Sequence, residues 1–220
     1  RDVLRLLGLE PRRVRVVPYA PGASFRPVPE GPQRLLSAYG IAPPYFLYVG
    51  TLEPRKNLAR ALRAFTSLAA SLPAHRFVLV GQQGWKYADV LREAQAAGGR
   101  VLLPGYVAED DLPLLYTHAD ALVYPSLYEG FGFPVVEAMA CGAPVVTSRG
   151  SSLEEVAGEA ALLVDPGDEA DIARALRAVG TDRGLAAELR ARGLARAATF
   201  DWTRTARETA QAYRDALSFG

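Results

Sequence analysis

Two stretches of this 220-residue chain gather side chains that could do chemistry. The first is GTLEPRKN, residues 50–57, in which Gly50 and Thr51 close an apolar run and Arg55, Lys56 and Asn57 precede an amphipathic segment. Cations at the start of a helix sit where backbone N–H groups already favour negative charge, so a phosphate or diphosphate is the natural guest. The plainer reading is a solvated Arg-Lys pair with Asn57 as an ordinary helix cap. The second stretch is YPSLYEGFGFPVVE, residues 124–137. Gly130 and Gly132 let the backbone approach a ligand, so the N–H groups of Phe133 and its neighbours, including Phe131, can face phosphate oxygens. Pro134 suits the first position of the helix that follows. Glu129 and Glu137 bracket the loop; carboxylates repel a bare anion but accept hydrogen bonds from hydroxyls, and the combination points to a sugar nucleotide. A tight turn with a capped helix is the plainer alternative.

Other residues carry weaker signals. Gly81 ends an apolar run, as a ligand-approach glycine or a simple turn, and Tyr106 and Val107 follow Gly105 as a planar-base pocket or a buried pair. His118 reads as a surface or capping histidine and Cys141 as core. One cysteine excludes an internal disulfide, and with only His75 and His118 beside it no metal site is expected. The chain lacks the glycine patterns of nicotinamide dehydrogenases and P-loop nucleotidases. Lys+Arg 25 against Asp+Glu 24 gives a net charge of +1, which argues against nucleic acid as a partner and leaves room for one local anion site. Within that balance Lys56 and Lys86 are the only lysines and Asn57 the only asparagine.

The elements that must hold these residues are legible in the pattern. Apolar runs YFLYVG from Tyr45, RFVLVG, RVLLPG, DALVYPS, APVVTS and AALLVD alternate with helical periodicity over 57–71 and 86–97, from near Glu109, from near Pro134 and over 170–179, with a short turn at 151–156. This predicts an α/β fold: a doubly wound, Rossmann-like parallel sheet of about six strands with helices on both faces, plus C-terminal helices over 182–217. In such a sheet ligands bind beyond the carboxyl ends of the strands, where both constellations fall. Residues 2–7 read as a helix and 14–17 as a short β-branched run. Pro18, Pro21, Pro27, Pro29 and Pro32 mark 18–44 as a linker. The start inside a helix reads as part of a longer polypeptide; no stretch reads as a transmembrane segment or secretory signal, so a cytoplasmic location is expected.

VGTLEPRKN, the GYV triplet and ALVYPSLYEGFGFPVVEAMACGAPVVTS, with their spacing, resemble the C-terminal, donor-binding domain of glycosyltransferase family 4, the group 1 retaining transferases of GT-B fold. The resemblance covers residues 45 to about 217, and its most specific element is Glu129-x7-Glu137. It implies transfer of a hexose, with mannose favoured by the EPRKN form, from a GDP- or UDP-sugar donor, without metal or other cofactor. Arg55, Lys56 and Glu129 would be the catalytic residues: the cations on the donor diphosphate, Glu129 on the transferred sugar's hydroxyls. Glu137 would hold ribose hydroxyls, the Phe131 to Pro134 backbone the phosphates, and Val107 with Tyr106 the base. Gly50, Thr51, Asn57, Gly81, Leu112, Gly130 and Gly132 complete the implied donor-binding set. Thr51 departs from the arginine that many members carry there, so Arg55 is expected to supply the second cation.

The same resemblance divides the chain. Residues 1–17 resemble the last helix and strand of a GT-B N-terminal domain, 18–44 the interdomain linker, 45–200 the donor domain, and 201–220 the helix that packs back towards the N-terminal domain. That missing domain would bring the acceptor, whether glycan, lipid or small molecule, and any peripheral contact with the inner face of a membrane; the 220-residue piece alone is expected to bind nucleotide weakly and not to transfer sugar. The competing readings are a non-catalytic nucleotide-sugar-binding module and a nucleotide-sugar epimerase of related fold.

Overall fold

The computed structural model describes residues 2–217, so Arg1 and the last three residues of the expected 201–220 segment lie outside the described residues. The chain divides into two compact units, one of residues Pro21–Ala198 and the other of Arg1–Ala20 with Thr199–Gly220.

The larger unit holds a six-stranded sheet of β1 (Tyr45–Val49), β2 (Arg76–Val80), β3 (Val101–Gly105), β4 (Ala121–Tyr124), β5 (Val145–Ser148) and β6 (Leu162–Val164). All ladders are parallel and the order is β3-β2-β1-β4-β5-β6, so the chain reverses direction of progress between β1 and β4. The expected six-stranded, doubly wound sheet is the one observed. Tyr45 to Tyr48 and Ala121 to Tyr124 are buried along their whole length, as continuous apolar runs covered on both faces must be. One helical layer contains α3 (Leu58–Thr66), α4 (Ala88–Ala96) and α8 (Glu169–Thr181); the other contains α5 (Leu112–His118), α6 (Phe133–Ala140), α7 (Ser152–Ala157) and α9 (Arg183–Ala197).

Helix α3 shows how the sequence dictates the packing. Leu58, Ala61, Leu62 and Phe65 recur at helical spacing and are buried, each leucine or phenylalanine contributing about 1.5–3 kcal/mol of apolar burial. The helices are shorter than periodicity suggested: α3 stops at Thr66 and α4 starts at Ala88, while the turn expected at 151–156 is the helix α7. Here Ser151 accepts from the Leu153 N–H, a local cap that lets a short segment become helical.

Residues 21–44 differ from a linker. They contain α2 (Pro32–Tyr39), with Pro32 in its first turn where a missing N–H is tolerated, and Leu35 and Ile41 are fully buried in the larger unit. Tyr39 and Arg34 both reach Asp111, at 2.7 Å and 2.6 Å, and Asp111 is buried.

The smaller unit contains α1 (Asp2–Leu7), a 3-10 turn at Pro11–Arg13 and α10 (Trp202–Leu217). The strand expected over 14–17 does not form; those residues have no ladder partner among the described residues. Asp201 caps α10 by accepting from the Thr203 and Arg204 N–H groups, and the Thr205 hydroxyl donates to the Pro18 carbonyl at 2.7 Å. No described helix is long and apolar enough to cross a membrane.

Candidate donor-binding site

The loops leaving β1 and β4 lie side by side because their strands pair at the switch of the sheet. After Thr51 the chain makes a 3-10 turn, Pro54–Lys56, before α3 begins. This turn points Lys56 at the loop after β4: its ammonium donates to the Glu129 carboxylate at 2.6 Å and to the Tyr124 hydroxyl at 2.7 Å. Arg55 meets the other carboxylate oxygen of Glu129 at 2.7 Å, and also bonds the Tyr128 carbonyl at 2.6 Å and Glu53 at 2.6 Å. Burial pulls the Glu129 carboxyl upward, but hydrogen bonds from Lys56 and Arg55 outweigh it and hold the group below the ordinary glutamate range.

The plain reading of a solvated Arg-Lys pair therefore fails for Lys56, which is 8% exposed. Asn57 is not the ordinary cap either. It adopts a left-handed φ of 59° and makes no side-chain capping bond; its amide instead donates to the Pro125 carbonyl at 3.1 Å and the Pro166 carbonyl at 2.8 Å. One amide thus bridges the exits of β4 and β6, and Arg60 also donates to the Pro166 carbonyl at 2.8 Å.

Gly132 caps α6 with φ 106°, and Pro134 occupies the second helical position rather than the first. A Cβ on Gly132 would lie 2.4 Å from Leu153 Cδ2, so the loop is pressed against α7, and Ser152 donates to the Glu129 carbonyl at 2.7 Å. Gly130 has open space around it. Phe131 and Phe133 meet edge to face at 5.3 Å. Gly81 serves close approach, but to protein: a Cβ there would fall 2.0 Å from the Gly50 carbonyl oxygen.

Ala138, Met139 and Cys141 pack into the core, which leaves Glu137 half-buried at the helix edge. Burial raises its carboxyl above the ordinary range, partly offset by the Tyr116 hydroxyl, which donates at 3.0 Å. Burial pushes the Cys141 thiol up to about 12, in keeping with a core role. His118 is half-buried, and burial lowers its pKa. On the loop after β3, Val107 is buried and Tyr106 is 75% exposed; Leu112 begins α5, which carries Tyr116 to Glu137.

Arg55 and Lys56 are thus brought onto Glu129, Asn57 ties the exits of β4 and β6, Gly50 and Thr51 begin the loop after β1, and Glu137 is tied to the α5 side through Tyr116. Sequence reasoning missed Tyr116 and Ser152 and gave Tyr124 no role. Tyr116 sits 21 residues from its partner, and only the packing of α5 on α6 reveals the pair.

The fold defines the chain as a doubly wound α/β domain with a crevice at the β1/β4 switch, and comparison with known proteins supplies its family. Residues 39–196 match the family model for Glycosyl transferases group 1, and the chain belongs to that family. It is 38% identical over 224 residues to O-antigen chain mannosyltransferase B of Escherichia coli, covering 97% of this chain and 57% of that protein. It superposes on sucrose-phosphate synthase from Thermosynechococcus elongatus with a TM-score of 0.77 and 28% identity, over 94% of this chain and 53% of that one. Anabaena Alr3699/HepE in complex with UDP shares the fold, with a TM-score of 0.83, 21% identity and coverage of 97% and 60%. The chain therefore spans little more than half the length of these proteins.

Proposed function

We propose that the chain is the donor-binding half of a retaining, metal-independent hexosyltransferase that takes its sugar, mannose by preference, from a nucleoside diphosphate. The observation that carries this reading is the convergence of Lys56 and Arg55 on Glu129 at the β1/β4 switch, 2.6 Å and 2.7 Å away. A buried ammonium and a half-exposed guanidinium already organised around one carboxylate are organised for the oxygens of a diphosphate as well. The mannose preference is supported by likeness to a mannosyltransferase, and the nucleotide by likeness to a protein solved with UDP.

In this reading Arg55 and Lys56 neutralise the charge that develops on the leaving diphosphate, an electrostatic task requiring no covalent enzyme intermediate. The Phe131 to Pro134 segment, at the start of α6, faces the phosphates. Glu129 accepts from hydroxyls of the transferred sugar, Glu137 from the ribose, and Val107 with Tyr106 and Leu112 lines the base pocket. Thr51 gives a neutral hydroxyl beside the phosphates, and Gly50, Asn57, Gly81, Gly130 and Gly132 shape the seat. Acceptor recognition, and any peripheral contact with the inner face of a membrane, belong to residues outside this chain, so the chain alone binds nucleotide weakly without transferring sugar.

Calorimetry with GDP, UDP and ADP tests this. One diphosphate should bind the wild type, with loss in Lys56→Ala and Glu137→Ala; unchanged affinity in Lys56→Ala would refute the diphosphate assignment.

A further inference from the structure

Lys56 has two polar partners among the described residues, the carboxylate of Glu129 and the hydroxyl of Tyr124. In the proposed function Glu129 also accepts from a sugar hydroxyl and Lys56 also meets the donor diphosphate, so the aim of the ammonium must survive a change of anionic partner. A buried cation must keep an acceptor throughout, and an ammonium held by one carboxylate alone would follow that carboxylate as it shifts. Tyr124 offers a way out. It is 2% exposed, its ring lies 5.0 Å under the ammonium, and it stacks on Tyr48 at 5.6 Å with 13° between planes.

The ring cannot easily turn away. The Tyr48 hydroxyl donates to the Thr51 carbonyl at 2.9 Å, which anchors the stack to the loop after β1, and Thr147 donates to the Tyr124 carbonyl at 2.9 Å from β5. Burial, with the nearby Glu129 charge, raises the Tyr124 phenol far above its ordinary value, so it is neutral at neutral pH.

We propose that Tyr124 is a positioning residue for Lys56: its hydroxyl is the neutral acceptor that keeps the ammonium aimed into the crevice while the Glu129 carboxylate serves the sugar. The inference rests on the assignment of Lys56 to the donor diphosphate.

The test is Tyr124→Phe, which keeps the ring and its stack on Tyr48, measured by calorimetry with GDP and UDP and with guanosine and uridine as phosphate-free probes. Diphosphate affinity should fall about tenfold, as for a lost hydrogen bond to a charged group, while nucleoside affinity stays within about twofold. In a Glu129→Gln background the same change should cost more, because no carboxylate then remains to compensate for the lost hydroxyl. With only two lysines in the chain, carbon-13 lysine spectra give a second measurement: the Lys56 signal should move in Tyr124→Phe and the Lys86 signal should not. Equal losses for nucleoside and diphosphate, or a diphosphate affinity equal to wild type, overturn the inference. Loss in Lys56→Ala with retention in Tyr124→Phe sinks this inference alone; retention in Lys56→Ala sinks the diphosphate assignment together with it.

Discussion

Gly81 lies against Gly50 so closely that a Cβ on Gly81 would be 2.0 Å from the Gly50 carbonyl oxygen, with Gly81 at φ 145°. The obstacle is backbone of the neighbouring strand exit, which cannot swing aside as a side chain would. Gly81→Ala should therefore cost at least about 3 kcal/mol, from left-handed strain and overpacking together. Gly130, with nothing near its missing Cβ, should accept alanine within about 0.5 kcal/mol. Urea midpoints of the two variants decide; equal costs would contradict the close approach of the two strand exits.

Glu129 should give the fold part of its acid sensitivity. Its folded pKa lies below the ordinary value, because the bonds from Lys56 and Arg55 exceed the opposing effect of burial. A carboxyl of this kind contributes stability above its unfolded pKa of about 4.3 and loses it as pH falls through the lower folded value. Glu129→Gln, which leaves the Lys56 ammonium without its anion, should be less stable than wild type by about 3 kcal/mol at neutral pH. The gap should narrow below about pH 4. A gap independent of pH in chemical denaturation would show that the ion pair does not operate in solution.

Glu137 should behave in the opposite sense. Burial raises its folded pKa, so its contribution to stability is present below the unfolded value and is lost as pH rises through the folded one. Glu137→Gln should therefore melt higher than wild type at pH 7, with the difference closing below about pH 4. The same variant should bind nucleoside diphosphate less tightly, since an amide is a poorer acceptor for two ribose hydroxyls. A variant both less stable and unaltered in binding would refute the assignment.

Tyr39 reaches across from α2 to donate to Asp111, and its oxygen accepts from the Ala108 N–H at 3.3 Å. Tyr39→Phe should cost about 1 kcal/mol and speed hydrogen exchange at Ala108, next to Val107, while core strand amides remain protected. Unchanged exchange at Ala108 would remove α2 from any part in holding that loop.

The strands were legible because Tyr45 to Val49 and Ala121 to Tyr124 are continuous apolar runs bounded by turn residues, and a parallel sheet buried on both faces requires them. The Arg55-Lys56 and Glu129 motifs were legible as chemistry, but not their mutual grip. That contact spans 73 residues and exists only because β1 and β4 are neighbours, which no local pattern states. Asn57 was misjudged for a related reason: a cap is a local event, whereas its actual partners, Pro125 and Pro166, come from two other strand exits. The prolines of 18–44 correctly excluded a long helix. They hid α2 because Pro32 falls in a first turn, where proline does no harm.

The bridge made by Asn57 also has a consequence for the chemical ageing of the molecule. Deamidation would replace an amide donor by a carboxylate directed at two carbonyl oxygens, turning two attractions into two repulsions at a buried position. Because no other asparagine exists in the chain, asparagine damage of this kind has a single address, and it lies under the seat on which the proposed chemistry depends.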